Sequence, residues 1–145
     1  MFYITLMTWL ALDLFTKYLA VIYLKKPISI AWDLVYLQLA YNSWIAFGIK
    51  VPLWLLKSWT IALIIWIYYY YKSELKQETD TKKQNLLQVS FWLILAWAIG
   101  NWIERVFNER VIDFVWVKYF SIFNLADSFI SIWALFLIYY YYNKK

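Results

Sequence analysis

Four apolar runs, each close to the length of a membrane-crossing helix, restrict this chain more than any other feature of its sequence. The runs at 2–24, 51–71 and 86–103 reach that length by direct count, and the run ending at Tyr142 reaches it if it begins near Phe123. About 20 apolar residues are needed to cross the hydrocarbon core of a bilayer. Only 16% of the 145 residues are charged, whereas soluble domains carry about 25%. We therefore predict an all-α membrane protein that forms one domain over residues 1–145, with transmembrane helices at about 2–24, 51–71, 86–106 and 123–142.

Several functions and processing steps are excluded by what the chain lacks. It contains no Cys and no His, which excludes disulfides, thiolate chemistry and Ser–His triads. The first run carries Asp13 and Lys17 in its middle and has neither a basic start nor a small-residue cleavage site, so we do not expect a cleaved signal peptide. The net charge of +5 comes from lysines near the ends of the runs, which is typical of juxtamembrane residues and not of a nucleic-acid site.

The segments between the runs predict the orientation. Residues 72–84 are dense in charge and should form a short solvated loop or a helix extension. Their lysines, with those at the C-terminus, favour the cytoplasmic side for both termini. Residues 25–50 contain DLVYLQLAYN, in which apolar and polar residues partly alternate, and this predicts short strands at the membrane face. Residues 108–127 are amphipathic and rich in aromatics, so we expect them to lie in the interface on the same, extracytoplasmic side.

Ionisable and polar residues inside the spans are candidate functional residues, because charges are costly in a bilayer. Asp13 and Lys17 are four residues apart and share one face of the first helix. One face of the third span carries a stripe formed by Trp97, Asn101, Glu104, Arg105 and Asn108. Both sets also fit a structural interpretation, as an internal ion pair and as a polar seam between helices.

Asp113 and Asp127 suggest a more specific chemistry. Both lie in or at the end of the interfacial segment, beside apolar neighbours. Two carboxylates in one partly dry site cannot both ionise cheaply, so one keeps its proton. The charged one can activate water while the protonated one donates to a carbonyl oxygen, as in aspartic proteases. The spacing of these two residues is common, so this remains one interpretation among several.

Four short motifs follow one another along the chain. Asp-x-x-x-Lys appears as Asp13-Leu-Phe-Thr-Lys17, and Asn-x-Gly-x-Ala-Phe appears as Asn42-Ser-Trp-Ile-Ala-Phe47. Gly-x-x-Gly-Asn-x-x-Asp-Arg appears as Trp97-Ala-Ile-Gly100-Asn101-Trp-Ile-Glu104-Arg105. The fourth joins Val111-Ile-Asp113-Phe114 to Phe123-Asn124-Leu-Ala126-Asp127. Together, and in this order, they resemble the motifs of the lipoprotein signal peptidases, or signal peptidase II, over nearly the whole chain.

The resemblance implies an intramembrane aspartic endopeptidase that removes the signal peptide of a prolipoprotein just before its diacylglyceryl-modified cysteine, without a metal or organic cofactor. It implies that Asp113 and Asp127 are the catalytic pair and that Asp13 and Lys17 support their site. Glu104, where the family has Asp, belongs to the same support. Further polar residues would line the site and hold the substrate backbone: Asn42, Asn101, Arg105 and Asn124.

The resemblance also implies a location and partners. Residues 25–50 would form a small peripheral β-cradle on the extracytoplasmic side of a bacterial inner membrane. The expected partners are the lipidated prolipoprotein and membrane lipids, with no nucleic acid, and the chain would be a monomer.

The chain departs from the motifs in its tryptophans. Trp44 and Trp97 stand where the motifs have Gly, and Trp133 falls where the fourth helix of the family commonly has Gly. The chain has 2 Gly and 11 Trp, whereas a usual frequency predicts about ten Gly. Some bacterial lineages read the codon UGA as Trp and others read it as Gly. We hypothesise that the natural protein has Gly at many of these positions; the alternative is a true enrichment of Trp in aromatic belts.

Two other functions remain open from the sequence. One is an inactive homologue that binds lipoprotein precursors without cutting them. The other is a small transporter or channel subunit whose charged residues form an ion path: Asp13, Lys17, Glu104 and Arg105. Such a path places charges at several depths, whereas Asp113 and Asp127 cluster at one face, which favours a surface-adjacent site.

Overall fold

Four long helices form the body of the protein. The computed structural model describes residues 2–43 and 51–142. The helices are α1 (Phe2–Tyr23), α2 (Leu53–Gln77), α3 (Thr81–Phe107) and α4 (Leu125–Tyr142). Each is long and apolar enough to cross a membrane. The predicted fold class is therefore confirmed, while the exact limits of the four spans along these helices stay a prediction.

The α3 helix is the centre of the bundle. It packs against each of the other three helices. In its most apolar stretch 50% of the residues are buried, whereas the share is 17% in each of the other helices. Small residues allow this close packing: Ala96 and Ala98 are buried, and a Cβ atom at Gly100 would lie 2.8 Å from Asp13 Oδ2. The outer faces carry exposed apolar side chains such as Met7 and Ile138, as expected for helices surrounded by lipid.

The charged segment at 72–84 is mostly helical. The α2 helix continues to Gln77, and α3 begins after a break at residues 78–80. Asp80 caps α3, because its carboxylate accepts hydrogen bonds from the backbone N–H groups of Lys82 (2.7 Å) and Lys83 (3.4 Å). This end of α3 is the opposite one from Phe107, where the chain enters the sheet.

A small antiparallel sheet covers one end of the bundle. Its strands are β1 (Ile28–Ala31), β2 (Val35–Asn42), β3 (Val111–Val117) and β4 (Ile122–Phe123), in that order across the sheet. The first two lie in the segment that was predicted to form strands. The other two lie in the segment predicted only as amphipathic, where the β-branched and aromatic residues of VIDFVWV favour a strand. In the register of β2 and β3, Asp113 lies opposite Ala40, and Val111 lies opposite Asn42.

The turn between β1 and β2 has an uncommon backbone. Leu34 N donates to Ala31 O at 2.8 Å, and the two central residues, Trp32 and Asp33, have φ angles of 41° and 54°. Positive φ at both central positions makes this a type I′ hairpin turn, which is usually built from Gly, Asn or Asp. The Trp32 side chain is 92% exposed.

Candidate active site

Asp113 and Asp127 meet where the sheet contacts the bundle. Asp113 comes from β3 and is buried, with 2% of its surface exposed, and Asp127 lies in the first turn of α4. Asn124 links the two residues. Its Nδ2 donates to Asp113 Oδ1 at 2.8 Å, its backbone N–H donates to Asp127 Oδ2 at 3.2 Å, and its Oδ1 accepts from Asp127 N at 3.1 Å.

Each carboxylate has further donors. Asn42, at the end of β2, donates from Nδ2 to Asp113 Oδ2 at 2.8 Å. From α3, Asn101 Nδ2 and Trp97 Nε1 both donate to Asp127 Oδ1, at 3.2 and 2.9 Å. Five hydrogen bonds from protein donors therefore reach the two carboxylates. Hydrogen bonds from such donors stabilise the ionised form of a carboxylate and fix its orientation.

A buried ion network lies beneath these two residues. Lys17 Nζ contacts Asp13 Oδ2 at 2.8 Å, Glu104 Oε2 at 2.7 Å and Asn101 Oδ1 at 3.0 Å. Asp13 Oδ1 also accepts from Ala126 N at 2.9 Å, and Glu104 Oε2 accepts from Ile112 N at 3.4 Å. Since Ala126 and Ile112 directly precede Asp127 and Asp113, one lysine connects the two backbone segments that carry them.

The same contacts fix the amide of Asn101. Its oxygen accepts from Lys17 Nζ and from Asn124 Nδ2, the latter at 3.2 Å, so its nitrogen is left to face Asp127. Arg105, one residue after Glu104 on α3, carries a positive charge close enough to interact with both Asp113 and Asp127. Its Nε is buried and has no hydrogen-bond partner among the residues the structure describes.

The two aspartates open onto a cleft of about 530 Å³ between α4 and the sheet. The cleft is lined by apolar side chains and a few hydroxyl groups: Phe120, Ser121, Ile122, Phe123, Ser128, Ile130, Ser131 and Ile132. A volume in this range can enclose a peptide segment or a small ligand. Within residues 2–43 and 51–142, no three acidic side chains are arranged to hold a metal ion.

Comparison with known proteins identifies the family. A family model described as signal peptidase II matches residues 5–143. This chain belongs to the signal peptidase II family. A lipoprotein signal peptidase of Halalkalibacterium halodurans is 34% identical over 134 residues, which cover 88% of this chain and 82% of that protein.

Solved structures agree with the fold. Two structures described as a bacterial membrane enzyme, determined by the in meso method at 1.9 and 2.3 Å resolution, superpose with TM-scores of 0.83 and 0.79. They share 24% and 23% sequence identity with this chain, each covers 99% of it, and the chain covers 94% and 91% of theirs. With four helices long and apolar enough to cross a membrane and with its membership of the family, this signal peptidase II chain is a multi-pass bacterial membrane protein.

The predicted site residues of this signal peptidase II chain converge on one place. Eight candidates are linked by hydrogen bonds and ion pairs: Asp13, Lys17, Asn42, Asn101, Glu104, Asp113, Asn124 and Asp127. The ninth, Arg105, interacts with the two aspartates through its charge. Asn108, which shares the predicted stripe on α3, is exposed at the C-terminal end of that helix, where its backbone N–H donates to Glu104 O at 2.7 Å. Trp44 lies outside the described residues.

Two kinds of partner were not predicted from the sequence. Trp97 was noted on the polar stripe, but its hydrogen bond to Asp127 was not foreseen; its position one helical turn before Asn101 was the available clue. The backbone N–H groups of Ile112 and Ala126 were also missed. Backbone donors leave no trace in residue type, so only the folded geometry reveals them.

Burial makes Asp113 a weaker acid than an ordinary aspartate. It raises the pKa of this carboxyl to about 6, the hydrogen bond from Asn42 opposes the rise, and the negative charge of Asp127 adds to it. The hydrogen bond from Asn124 and the charge of Lys17 also act against the rise. Asp113 is therefore protonated below about pH 6 and charged above it, so it keeps its proton in a range where an ordinary aspartate has lost it.

This acidity leads to a prediction for Asn42→Ala. The variant loses a donor that stabilises the charged form, so the pKa of Asp113 should rise further. The titration of Asp113 should appear as a limb near pH 6 in the pH profile of kcat/KM for precursor cleavage. In the variant this limb is expected to move to higher pH. Asn42→Gln, which keeps an amide donor, is the matched control and should shift the limb less. An unmoved limb, or one moved to lower pH, would contradict the assignment of that limb to Asp113.

Proposed function

We propose that this protein is an aspartic endopeptidase that cleaves the signal peptide from lipidated prolipoproteins. The observation that carries the proposal is the pair of carboxylates, Asp113 and Asp127, joined through Asn124 at the wall of a cleft. Membership of the signal peptidase II family and the similarity to a lipoprotein signal peptidase support the choice of substrate.

In the proposed mechanism the pair shares one proton. The charged carboxylate removes a proton from a water molecule, and the resulting hydroxide attacks the scissile carbonyl carbon. The protonated carboxyl donates its proton to the carbonyl oxygen, giving a neutral tetrahedral diol. The diol then collapses as the C–N bond breaks. The carboxyl that took a proton from water passes it to the leaving amine, and the other carboxylate takes one hydroxyl proton from the diol, so that the pair again holds one proton. Because the two carboxyls titrate together, the roles belong to the pair and not to one residue.

The surrounding groups suit this chemistry. Asn42, Asn101 and Asn124 hold the carboxylates in place, so little reorganisation is needed during the reaction. Arg105 supplies a positive charge near the pair, which favours the ionised carboxylate. The apolar lining of the cleft, including Ile122 and Ile130, would receive the apolar segment of a signal peptide or the acyl chains of the lipid.

The proposed orientation follows from the course of α3. This helix begins at the lysine-rich segment around residues 72–84 and ends at Phe107, next to the sheet and the two aspartates. If the lysines are cytoplasmic, the sheet and the site lie at the extracytoplasmic face. A prolipoprotein whose signal peptide spans the membrane would present its lipidated cysteine at that depth.

The direct test is cleavage of a defined substrate. The purified protein, in lipid or detergent, is incubated with a prolipoprotein precursor that carries a diacylglyceryl group on its cysteine, and the precursor is resolved by size. Shortening of the lipidated precursor, with no shortening of the same precursor before lipidation, supports the proposal. A protein that binds the precursor without shortening it would instead be the inactive homologue.

A second test concerns the class of chemistry. Because the chain contains no His and no Cys, cleavage is expected to continue at an unchanged rate in the presence of EDTA and of serine- and cysteine-directed reagents. The same reagents are checked on a zinc protease and a serine protease in the same detergent. Loss of cleavage with EDTA and its recovery on addition of zinc would contradict the aspartic mechanism.

A further inference from the structure

The hairpin turn at Trp32 has a backbone that suits glycine better than tryptophan. Its φ of 41° lies in the left-handed region, which bulky L-residues rarely adopt. The indole is 92% exposed, so no packing offsets this conformation. Asp33 is a residue type that tolerates the same region. Tyr119 also has positive φ, at 67°, so the turn alone does not decide the matter.

Two tryptophans on α3 also favour glycine, for a different reason. Trp102 Nε1 is buried and has no hydrogen-bond partner within the described part of the chain, although a buried indole N–H usually finds one. Trp97 Nε1 does find a partner, but that partner is Asp127. An indole side chain thereby occupies space against one of the two carboxylates that must reach water and substrate.

The neighbouring residue Gly100 shows how closely α3 is packed on this side. A Cβ atom there would lie 2.8 Å from Asp13 Oδ2, so this seam needs a glycine. Gly100 is one of only two glycines in the chain, which has 11 tryptophans. About ten glycines are usual for this length. The shortage of one residue and the excess of the other are of similar size.

We infer that the functional protein carries glycine at positions 32, 97 and 102, because its organism reads UGA, the codon at these positions, as glycine. The inference extends the hypothesis drawn from Trp44, Trp97 and Trp133 to two positions, 32 and 102, that only the folded structure singles out. It is independent of the proposed function, since it concerns the residues of the chain and not the reaction.

Trp116 and Trp9 have ring partners that suit an indole. The ring of Trp116 lies 5.0 Å from that of Tyr36 across β2 and β3, and Trp9 packs edge-on against Phe129 at 5.0 Å. Aromatic pairs at these distances are favourable. True enrichment in aromatic belts would explain tryptophans exposed to lipid, such as Trp54. It does not explain an indole at a left-handed turn or one with a buried, unpaired N–H group.

The decisive experiment determines the residues directly. The gene is read at codons 32, 97, 102 and 116, and the protein isolated from its own organism is analysed by peptide mass spectrometry. We expect UGA and the mass of glycine at 32, 97 and 102, and UGG and the mass of tryptophan at 116. Tryptophan codons or tryptophan masses at the first three positions overturn the inference.

A second experiment tests the physical argument without the native organism. The chain as printed and its triple variant Trp32→Gly, Trp97→Gly, Trp102→Gly are made from synthetic genes in a host with the standard code, and their Tm values are compared. The triple variant is expected to unfold at a higher temperature. Trp116→Gly, which removes the ring that packs on Tyr36, is the control and should lower Tm. A triple variant with an equal or lower Tm than the printed chain counts against glycine at these positions.

Discussion

Replacing Asp113 or Asp127 by asparagine is expected to abolish precursor cleavage while the protein still inserts and accumulates in the membrane. An amide can neither take a proton from water nor deliver one to the scissile carbonyl, so both steps of the proposed mechanism fail. Acid–base catalysis of this kind contributes about 100- to 10,000-fold to rate, and we expect at least that loss from each variant.

The chain offers a matched control for these variants. Asp33→Asn makes the same change in the same sheet, at an exposed turn where asparagine adopts the left-handed backbone readily. Its cleavage rate should match that of the unmodified protein. Near-normal turnover by Asp113→Asn or Asp127→Asn would show that the pair has been wrongly assigned, whatever the substrate.

Trp97→Gly is expected to raise the cleavage rate. The indole N–H of Trp97 donates to Asp127 Oδ1 at 2.9 Å, beside the donor from Asn101. A side chain larger than its site accommodates typically costs about 1–3 kcal/mol. If that energy opposes the productive arrangement of the pair, its removal corresponds to roughly a 5- to 160-fold gain in kcat/KM. The measurement is the rate of cleavage of the lipidated precursor at low substrate concentration.

Trp97→Phe separates bulk from hydrogen bonding. Phenylalanine keeps most of the volume of the indole but has no N–H group, so it should remain slow if crowding is the cause. A fast Trp97→Phe variant would indicate that the extra hydrogen bond to Asp127 is the harmful feature. A Trp97→Gly variant slower than the printed chain would show that this position does not limit the enzyme.

Hydropathy could predict the helices because a bilayer imposes a length and a composition on whatever crosses it. The half of the sheet formed by β3 and β4 was harder to predict from the sequence. Asp113 interrupts the apolar pattern of VIDFVWV, and the same aromatic residues that favour a strand also suit a membrane interface. Its pairing with β2 joins residues about 70 positions apart, and no local pattern encodes such a contact.

The candidate site was predictable to the extent that chemistry depends on side-chain type. Charged and amide residues in apolar surroundings are conspicuous, so Asp13, Lys17 and Asn101 could be proposed in advance. The sharing of Lys17 between Asp13 and Glu104 was not predictable, because helical spacing pairs Lys17 only with residues of its own helix. Which groups meet across helices depends on the rotation and tilt of each helix, which a single sequence does not specify.

The position of Asp13 and Lys17 four residues apart has a consequence for how the protein is made. A lone charge at the centre of a membrane helix costs about 2.5–3.5 kcal/mol during insertion. These two charges can neutralise each other inside α1 before any other helix has been synthesised. Asp13 gains its second partner, the N–H of Ala126, only when α4 has been synthesised. The first helix can therefore enter the bilayer early as a neutral unit, while the candidate site is assembled only after α4 has been synthesised.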